Sequence, residues 1–114
     1  MHVKNVTQNT SLMTEGRVAD TFFTRLQGLL GSKPLQSGEG LVLEGVKSIH
    51  TLFMTFPIDV IYVNPSLQVI KTEENMVPYK LGGYVRQAAY VLEMPIGTIE
   101  ASKTQSGHQL EFTY

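Results

Sequence analysis

His50 and Asp59 are two polar residues inside the most apolar segment of the chain, which reads "SIHTLFMTFPIDVIYV". Histidine titrates near neutral pH, so His50 could act as a general base or as a metal ligand. Asp59 could orient that histidine, as carboxylates do in hydrolases and around metal sites. The structural alternative is a core histidine bonded to a backbone carbonyl and an aspartate that ties a turn. The sequence leaves both interpretations open.

Four further residues carry chemistry that could bind a ligand. Arg25 could hold a carboxylate or phosphate through two parallel hydrogen bonds, or it could pair with a glutamate and fix a helix. Tyr84 and Arg86 lie in a glycine-containing loop, where binding residues often concentrate. Glu93 lies between two apolar strand residues, so it is either a solvated outward residue or an inward partner of Arg25 or Arg86. We predict these four residues as ligand-binding.

The remaining motifs argue against metal and cofactor chemistry. The three histidines, His2, His50 and His108, have no metal-ligand spacing, and the chain has no cysteine. The sequence has no Gly-x-Ser-x-Gly motif of a nucleophilic serine and no Gly-x-x-x-x-Gly-Lys phosphate loop. We therefore predict no structural metal and no cofactor.

Composition sets the broad class of the protein. The chain has 114 residues, of which 42% are hydrophobic and 17% charged, which predicts one globular domain over residues 1–114. Its formal net charge of −1 and lack of a basic run argue against nucleic-acid binding. No apolar stretch reaches the ~20 residues that span a bilayer. The N-terminal segment has no signal-peptide pattern, so we expect a cytoplasmic protein.

Pro57 divides the apolar segment into two predicted strands, "HTLFM" and "IDVIYV". In one straight strand His50 and Asp59 would face opposite sides, roughly 30 Å apart. A bend at "TFP" brings them closer, and we predict that both lie near one end of the fold, because free backbone donors there can bind the carboxylate. The segment's apolar residues should be buried, namely Leu52, Phe53, Met54, Ile58, Val60 and Ile61.

The rest of the chain predicts mostly strands. Helical spacing appears only near residues 21–30, where Asp20 or Thr21 can cap the first turn. The segment "IDVIYVNPSLQVIKTEEN" predicts a hairpin of two strands, with its turn at Asn64, Pro65 and Ser66. The other predicted strands are "HVKNV", "SLMTEGRVA", "GLVLEGV", "AAYVLEMP" and a last strand from Gln109, with "IGTIEASKTQ" a short helix or a turn. This pattern predicts a mainly antiparallel α+β fold, a small β-barrel or sandwich of about seven strands with one helix packed across it.

Several of these segments together resemble a known family. They are Arg25 with "GLL", then "GEGLVL", "IHTLFMTFPIDVIYV", "VLEMPIGT" and a last strand that begins with glycine. Over about Ala19 to Leu110 this order resembles the domain of unknown function 192 family of small bacterial and archaeal proteins. Leu30 replaces the family's usual Met, and His108 stands where the family usually has Asp. The resemblance implies a small β-barrel-like fold and brings no established activity.

Two classes of function follow from these residues. The first is a binding module that holds a small ligand, a glycan or a protein at a loop-lined end near His50, Tyr84 and Arg86. The second is a hydrolase with His50 as general base, Asp59 as its orienting residue and Arg25 as an anion clamp. We favour the binding module because the sequence contains no recognisable nucleophile or metal set. The sequence does not indicate an oligomeric state.

Overall fold

The computed structural model describes residues 1–19, 34–48, 56–77 and 83–114. Within these ranges the chain forms eight strands and one short helix. The strands are His2–Asn5 (β1), Thr10–Met13 (β2), Glu15–Ala19 (β3), Glu39–Glu44 (β4), Ile58–Val63 (β5), Val69–Met76 (β6), Tyr90–Met94 (β7) and Leu110–Thr113 (β8). The helix, Thr98–Ser102 (α1), lies between β7 and β8. The helix predicted at 21–30 and the strand predicted over "HTLFM" lie outside the described residues.

The described strands form two sheets. The larger sheet has five strands in the order β3-β4-β7-β5-β6, and the smaller has three in the order β2-β1-β8. Within the described ranges, β3 and β4 are the parallel pair and the remaining strand pairs are antiparallel. Short strands joined by tight turns favour antiparallel pairing. The predicted sheet-dominated, mainly antiparallel α+β fold is therefore confirmed.

The sequence predicts one strand over "SLMTEGRVA", and that prediction is wrong. Strand β2 ends at Met13 in the smaller sheet, and β3 begins at Glu15 in the larger sheet. At this corner the N–H groups of Thr14 and Glu15 both donate to the Gly38 carbonyl, each at 2.9 Å. Neighbouring N–H groups of an extended strand point in opposite directions, so a shared acceptor requires the chain to turn.

The larger sheet carries a hydrophobic cluster on each face. The first cluster combines side chains of both sheets, among them Val3 and Leu110 from the smaller sheet and Ile61 and Leu92 from the larger. The second cluster lies on the opposite face and includes Val60 of β5. Successive residues of a strand point to opposite faces, which explains why Val60 and Ile61 enter different clusters. The first cluster is thus the core of a two-sheet sandwich.

Backbone hydrogen bonds also join the two sheets at two corners. Met1 and Gly16 exchange a pair of bonds, each 2.9 Å long. At the other corner the Val69 N–H donates to the His108 carbonyl at 2.9 Å, next to the isolated pairing of Gln68 with Gln109. The architecture therefore combines features of the two predicted alternatives, a sandwich with barrel-like connections between its sheets.

The apolar strand and its turn agree with the sequence. Ile58, Val60 and Ile61 are each 0% exposed, which confirms their predicted burial, whereas residues 52–54 lie outside the described ranges. The turn after β5 is also confirmed, because the Leu67 N–H donates to the Asn64 carbonyl at 2.9 Å. Within the described part of the chain, no helix is long and apolar enough to cross a membrane.

Candidate functional site

Asp59 is the second residue of β5 and is 1% exposed. Its Oδ1 accepts the Asn75 N–H at 2.8 Å, and its Oδ2 accepts the Ile99 N–H at 2.9 Å. The prediction that Asp59 lies at a strand end with backbone donors in reach is confirmed. His50 lies outside the described residues, so its distance from Asp59 stays a prediction.

The two amides that Asp59 binds belong to local structures that need an acceptor. Asn75 has a φ of 52°, and the pairing of β5 with β6 shifts register beside it, as at a β-bulge. Ile99 lies in the first turn of α1, whose N-cap is Gly97 and provides no side-chain cap. The first N–H groups of a helix have no partner within the helix. Asp59 therefore joins β6 and α1 to the start of β5.

Glu93 is buried at the centre of the larger sheet. Its register partners are Leu41 on β4 and Val60 on β5, so it points toward the second hydrophobic cluster. It is 3% exposed, and its Oε1 has no hydrogen-bond partner among the described residues. Burial raises the pKa of Glu93 from 4.5 to about 7. The interpretation of Glu93 as a solvated outward residue is therefore wrong.

Tyr62 lies on the same face as Glu93, because it follows Val60 by two positions along β5. Such diagonal neighbours on adjacent strands are about 7–8 Å apart, within reach of long side chains. The Tyr62 side chain is 0% exposed, and its hydroxyl also has no partner among the described residues. Burial, followed by the negative charges of Glu73 and Glu93, raises the pKa of Tyr62 to about 12.

An ion pair on β6 lies at the solvent-exposed edge of this face. The register places Lys71 beside Tyr62 and Glu73 beside Val60. Lys71 Nζ lies 3.0 Å from Glu73 Oε1 and 5.7 Å from the centre of the Tyr62 ring. The side chains of Lys71 and Glu73 are 45% and 25% exposed, so this edge is open to water. We call Glu93, Tyr62, Lys71 and Glu73 the Glu93 face.

The loop that carries Tyr84 and Arg86 adjoins the Glu93 face. A Cβ atom placed on Gly83 would lie 3.2 Å from Lys71 Nζ, and Val85 packs against the second hydrophobic cluster. Tyr84 is 72% exposed and Arg86 is exposed. Among the described residues Arg86 forms no ion pair with Glu93, and Glu93 Oε1 has no hydrogen-bond partner, so the alternative that Arg86 is its inward partner is wrong.

The structure separates the predicted residues into two places. Asp59 alternates with Ile58 and Val60 along β5, so it faces the side of the sheet opposite to Glu93. Arg25 lies outside the described residues, like His50, and its role stays a prediction. The described ranges contain no group of three histidine, aspartate or glutamate side chains that could hold a metal ion. The absence of a metal from the whole protein also stays a prediction.

Sequence reasoning did not select Tyr62, Lys71 or Glu73. Tyr62 has the composition of a core strand residue, and strand alternation alone places it on the face of Val60. Lys71 and Glu73 belong to "KTEEN", whose polar character is typical of a solvated strand edge. Their position beside Tyr62 depends on the strand register, which the residue types do not specify.

Comparison with known proteins identifies similar chains across almost the full length. The profile of DUF192, described as "Uncharacterized ACR", matches residues 3–112. A UPF0127 protein of Pyrococcus furiosus is 35% identical over 111 residues, which cover 95% of each chain. A UPF0127 protein of Pyrococcus horikoshii is 28% identical over 113 residues, covering 96% of this chain and 97% of the relative.

Two crystal structures share the fold. A protein of unknown function from Novosphingobium aromaticivorans superimposes with a TM-score of 0.78 at 20% identity, over 97% of this chain and 82% of that one. A protein from Sinorhizobium meliloti superimposes with a TM-score of 0.81 at 20% identity, over 96% of this chain and 89% of that one. At this identity the likeness concerns the fold alone. The family profile and the relative from Pyrococcus furiosus show that the chain belongs to the DUF192 family.

Proposed function

We propose that this protein is a small-molecule-binding module whose site is the Glu93 face. The observation that carries the proposal is the buried carboxyl of Glu93, which is 3% exposed and has an oxygen without a hydrogen-bond partner among the described residues. The Tyr62 hydroxyl on the same face also has no hydrogen-bond partner among the described residues. Two such groups on one face provide polar atoms that a bound molecule can satisfy.

Buried polar groups without a hydrogen-bond partner are rare. More than nine in ten buried polar groups of folded proteins have a hydrogen-bond partner, and an unsatisfied group costs about 1–3 kcal/mol. Glu93 could be replaced by an apolar residue if its only role were to fill space between Leu41 and Val60. A carboxyl at this position is explained when a ligand supplies the missing hydrogen bonds.

The surroundings of the Glu93 face fit a ligand site. Its edge at Lys71 and Glu73 is partly exposed to water. The adjoining loop presents Tyr84 and Arg86, two of the residues predicted to bind a ligand. A cluster of apolar side chains with few polar groups is typical of small-molecule sites. We retain the proposals that Arg25 binds an anionic group of the ligand and that His50 contributes to binding.

The hydrolase alternative has less support. It requires Asp59 to orient His50, but both Asp59 oxygens already accept backbone N–H groups, from Asn75 and Ile99. A carboxylate has further lone pairs, yet its orientation here is fixed by these two strong bonds. Asp59 also faces away from Glu93, so these two buried carboxyl groups do not form an acid–base pair.

A thermal-shift screen of small molecules tests the proposal. A ligand at a hundredfold excess over its Kd stabilises a protein by ~2.7 kcal/mol, which raises the Tm measurably. We expect ligands that raise the Tm of the wild type to lose this effect in Glu93→Gln and to weaken in Tyr62→Phe. Glu100→Gln, which changes an exposed carboxylate on α1, is the matched control and should respond like the wild type.

Two results would contradict the proposal. The first is a set of ligands that stabilise Glu93→Gln as strongly as the wild type, because these would bind elsewhere. The second is a diverse library without a single ligand that raises the wild-type Tm. Two-dimensional NMR spectra of Glu93→Gln and Tyr62→Phe establish that each variant is folded before its ligand response is compared.

A further inference from the structure

We propose that the ligand carries one positively charged nitrogen group, an ammonium or a guanidinium, which binds the Glu93 carboxylate and the Tyr62 hydroxyl oxygen. This inference rests on the proposed binding site and adds the chemical class of its ligand. It is carried by the position of the two unpartnered oxygen groups on one face of the larger sheet.

The positively charged side chains of the described chain bind groups other than Glu93 or lie at the edge of the larger sheet. Lys71 is paired with Glu73 at 3.0 Å, and the Lys47 ammonium donates to the Ala88 carbonyl at 2.7 Å. Arg17 is exposed on the edge strand β3, on the same face as Glu93 but two strands from it, and the described residues show no ion pair between the two. Within the described residues, Glu93 therefore has no counter-charge.

The remaining charged groups on this face are acidic or lie in the adjoining loop. Strand alternation and register place two more carboxylates on the Glu93 side, Glu15 on β3 and Glu39 on β4. Glu39 already accepts the Gln36 N–H at 2.6 Å. The exposed Arg86 belongs to the loop beside Lys71. A negatively charged ligand group at Glu93 would therefore meet the Glu93 carboxylate directly, with Glu73 two strands away at the exposed edge.

The Glu93 and Tyr62 oxygens require a ligand group that donates hydrogen bonds. An ionised carboxylate accepts hydrogen bonds but donates none, and a tyrosine oxygen can accept alongside its own O–H. Ammonium and guanidinium groups have only donors, and charge-assisted bonds from them are about twice as strong as neutral ones. The Tyr62 ring already has the Lys71 ammonium 5.7 Å from its centre, so its surroundings accommodate positive charge.

The test uses small charged probes and the full chain. Titrations of n-butylammonium and methylguanidinium are followed by the backbone amide shifts of β5 and β7 in two-dimensional NMR spectra. The neutral probe 1-butanol and the anion butyrate are matched in size. Wild type, Glu93→Gln, Tyr62→Phe and the control Glu100→Gln are each titrated at pH 8 and pH 5.5.

We expect saturable shifts at β5 and β7 with at least one of the two cations in the wild type and in Glu100→Gln at pH 8. Glu93→Gln should lower the affinity by about tenfold or more, as should pH 5.5, where the Glu93 carboxyl is protonated. Tyr62→Phe should lower it by a smaller factor. The neutral and anionic probes should cause no saturable change at these strands.

The possible failures are distinguishable. If 1-butanol or butyrate binds at β5 and β7 and Glu93→Gln abolishes that binding, the proposed positive charge of the ligand is wrong. The proposed site at the Glu93 face then stands. If the cations bind to Glu93→Gln with the wild-type affinity, both the proposed ligand class and the proposed site at the Glu93 face are wrong. If no cation binds the wild type and Glu93→Gln lowers the Tm, the chain itself supplies the positive charge, which also overturns the proposed ligand class.

Discussion

Asp59 and Glu93 are two buried carboxyl groups on neighbouring strands with opposite surroundings. Both oxygens of Asp59 accept backbone N–H groups, whereas an oxygen of Glu93 has no partner in the described chain. The difference arises from position, because Asp59 lies at a strand end beside a bulge and a helix start. Glu93 lies between two paired strands whose N–H groups are already used. Position in the sheet therefore separates a carboxylate held by backbone donors from the carboxyl of the proposed site.

Asp59→Asn is expected to lower the free energy of unfolding by about 2 kcal/mol, because its amide NH2 would replace one acceptor and leave a buried backbone N–H unsatisfied. Chemical denaturation with urea at pH 7 measures the loss. Glu100→Gln, on the exposed side of α1, should change stability by less than about 0.5 kcal/mol. Equal stabilities of Asp59→Asn and the wild type would contradict the role assigned to these two hydrogen bonds.

His108 stands where the resembled family usually has an aspartate, and its ring accepts a backbone hydrogen bond. The Gln105 N–H donates to His108 Nδ1 at 3.2 Å, and Asn5 Nδ2 lies 3.1 Å from the same atom. Because a backbone N–H can only donate, Nδ1 is an acceptor and the ring proton is on Nε2. An aspartate oxygen can accept the same hydrogen bonds.

This interpretation predicts the ranking of two substitutions. His108→Asp is expected to remain within about 0.5 kcal/mol of the wild-type stability, since it keeps an acceptor for the Gln105 N–H. His108→Leu is expected to cost about 1–2 kcal/mol, because it leaves the buried Asn5 amide short of one bond. Thermal unfolding of both variants measures this ranking. A leucine variant as stable as the aspartate variant would refute the role of His108 as a hydrogen-bond acceptor.

At the scale of the element, the hairpin of β5 and β6 shows what the sequence could and could not predict. Both strands and the turn at Asn64 follow from residue types. The register shifts by one residue between Tyr62 and Val63, so Tyr62 pairs with Lys71. A regular hairpin continuing from the pairing of Val63 with Val69 would place Ile70 there. A shift of one residue exchanges the two faces of a strand, so the residue types alone do not place Lys71 beside Tyr62.

The same limit applies to the candidate site as a whole. Glu93 was predicted as a binding residue from its position between apolar neighbours, but its partner strands were not. The pairing of β7 with both β4 and β5 joins segments far apart along the chain. Residue types specify which segments are strands more directly than which strands pair. The burial of Glu93 and its proximity to Tyr62 arise from that long-range pairing.

Two glycines of the larger sheet fit against the side chain of a buried methionine. Gly16 and Gly40 are register partners on β3 and β4, and Met13 is 0% exposed. A Cβ atom on Gly40 would lie 2.6 Å from Met13 Sδ and 2.8 Å from its Cγ, whereas one on Gly16 would lie 2.9 Å from Sδ. Real Cβ atoms do not approach so closely, so the methionine must move.

Gly40→Ala is therefore expected to destabilise the protein by about 1–3 kcal/mol through overpacking. Gly16→Ala should cost less, because its closest contact, the Met13 sulfur, is at 2.9 Å and its contacts with Met1 are at 3.2 Å and 3.3 Å. Combining Gly40→Ala with Met13→Ala should cost less than the two single losses added together, since the smaller side chain makes room. Urea unfolding of the four variants provides this comparison, and strictly additive losses would contradict the contact.

At the scale of the whole molecule, the larger sheet separates the side that holds the sandwich together from the side of the proposed site. On one side the smaller sheet, α1 and Asp59 form hydrogen bonds and apolar contacts that hold the sandwich together. On the other side lie Glu93 and Tyr62, with polar atoms that the described chain leaves unsatisfied. Adjacent residues of β5 and β7 therefore serve different purposes, because alternate side chains point to opposite faces.

Glu93 also makes the stability of the whole molecule depend on pH. Burial raises its pKa from 4.5 to about 7 in the folded protein, so between these values the folded state binds more protons than the unfolded chain. The contribution of Glu93 to the free energy of unfolding is then fully present below pH 4.5 and falls as the pH rises toward 7. Above pH 7 this contribution no longer changes. At ~1.4 kcal/mol per pH unit, the loss amounts to about 3 kcal/mol.

Glu93→Gln is expected to remove this dependence, because glutamine has a similar shape and cannot ionise. In the absence of ligand the variant should be more stable than the wild type at pH 8, and the two should converge near pH 4.5. Urea unfolding of wild type, Glu93→Gln and Glu100→Gln between pH 4 and pH 9 measures the three slopes, and the Glu100 variant should retain the wild-type slope. A Glu93→Gln variant that is less stable than the wild type at pH 8 would mean that the ionised carboxylate has a positive partner in the folded chain, and the predicted direction of the pH dependence would be wrong.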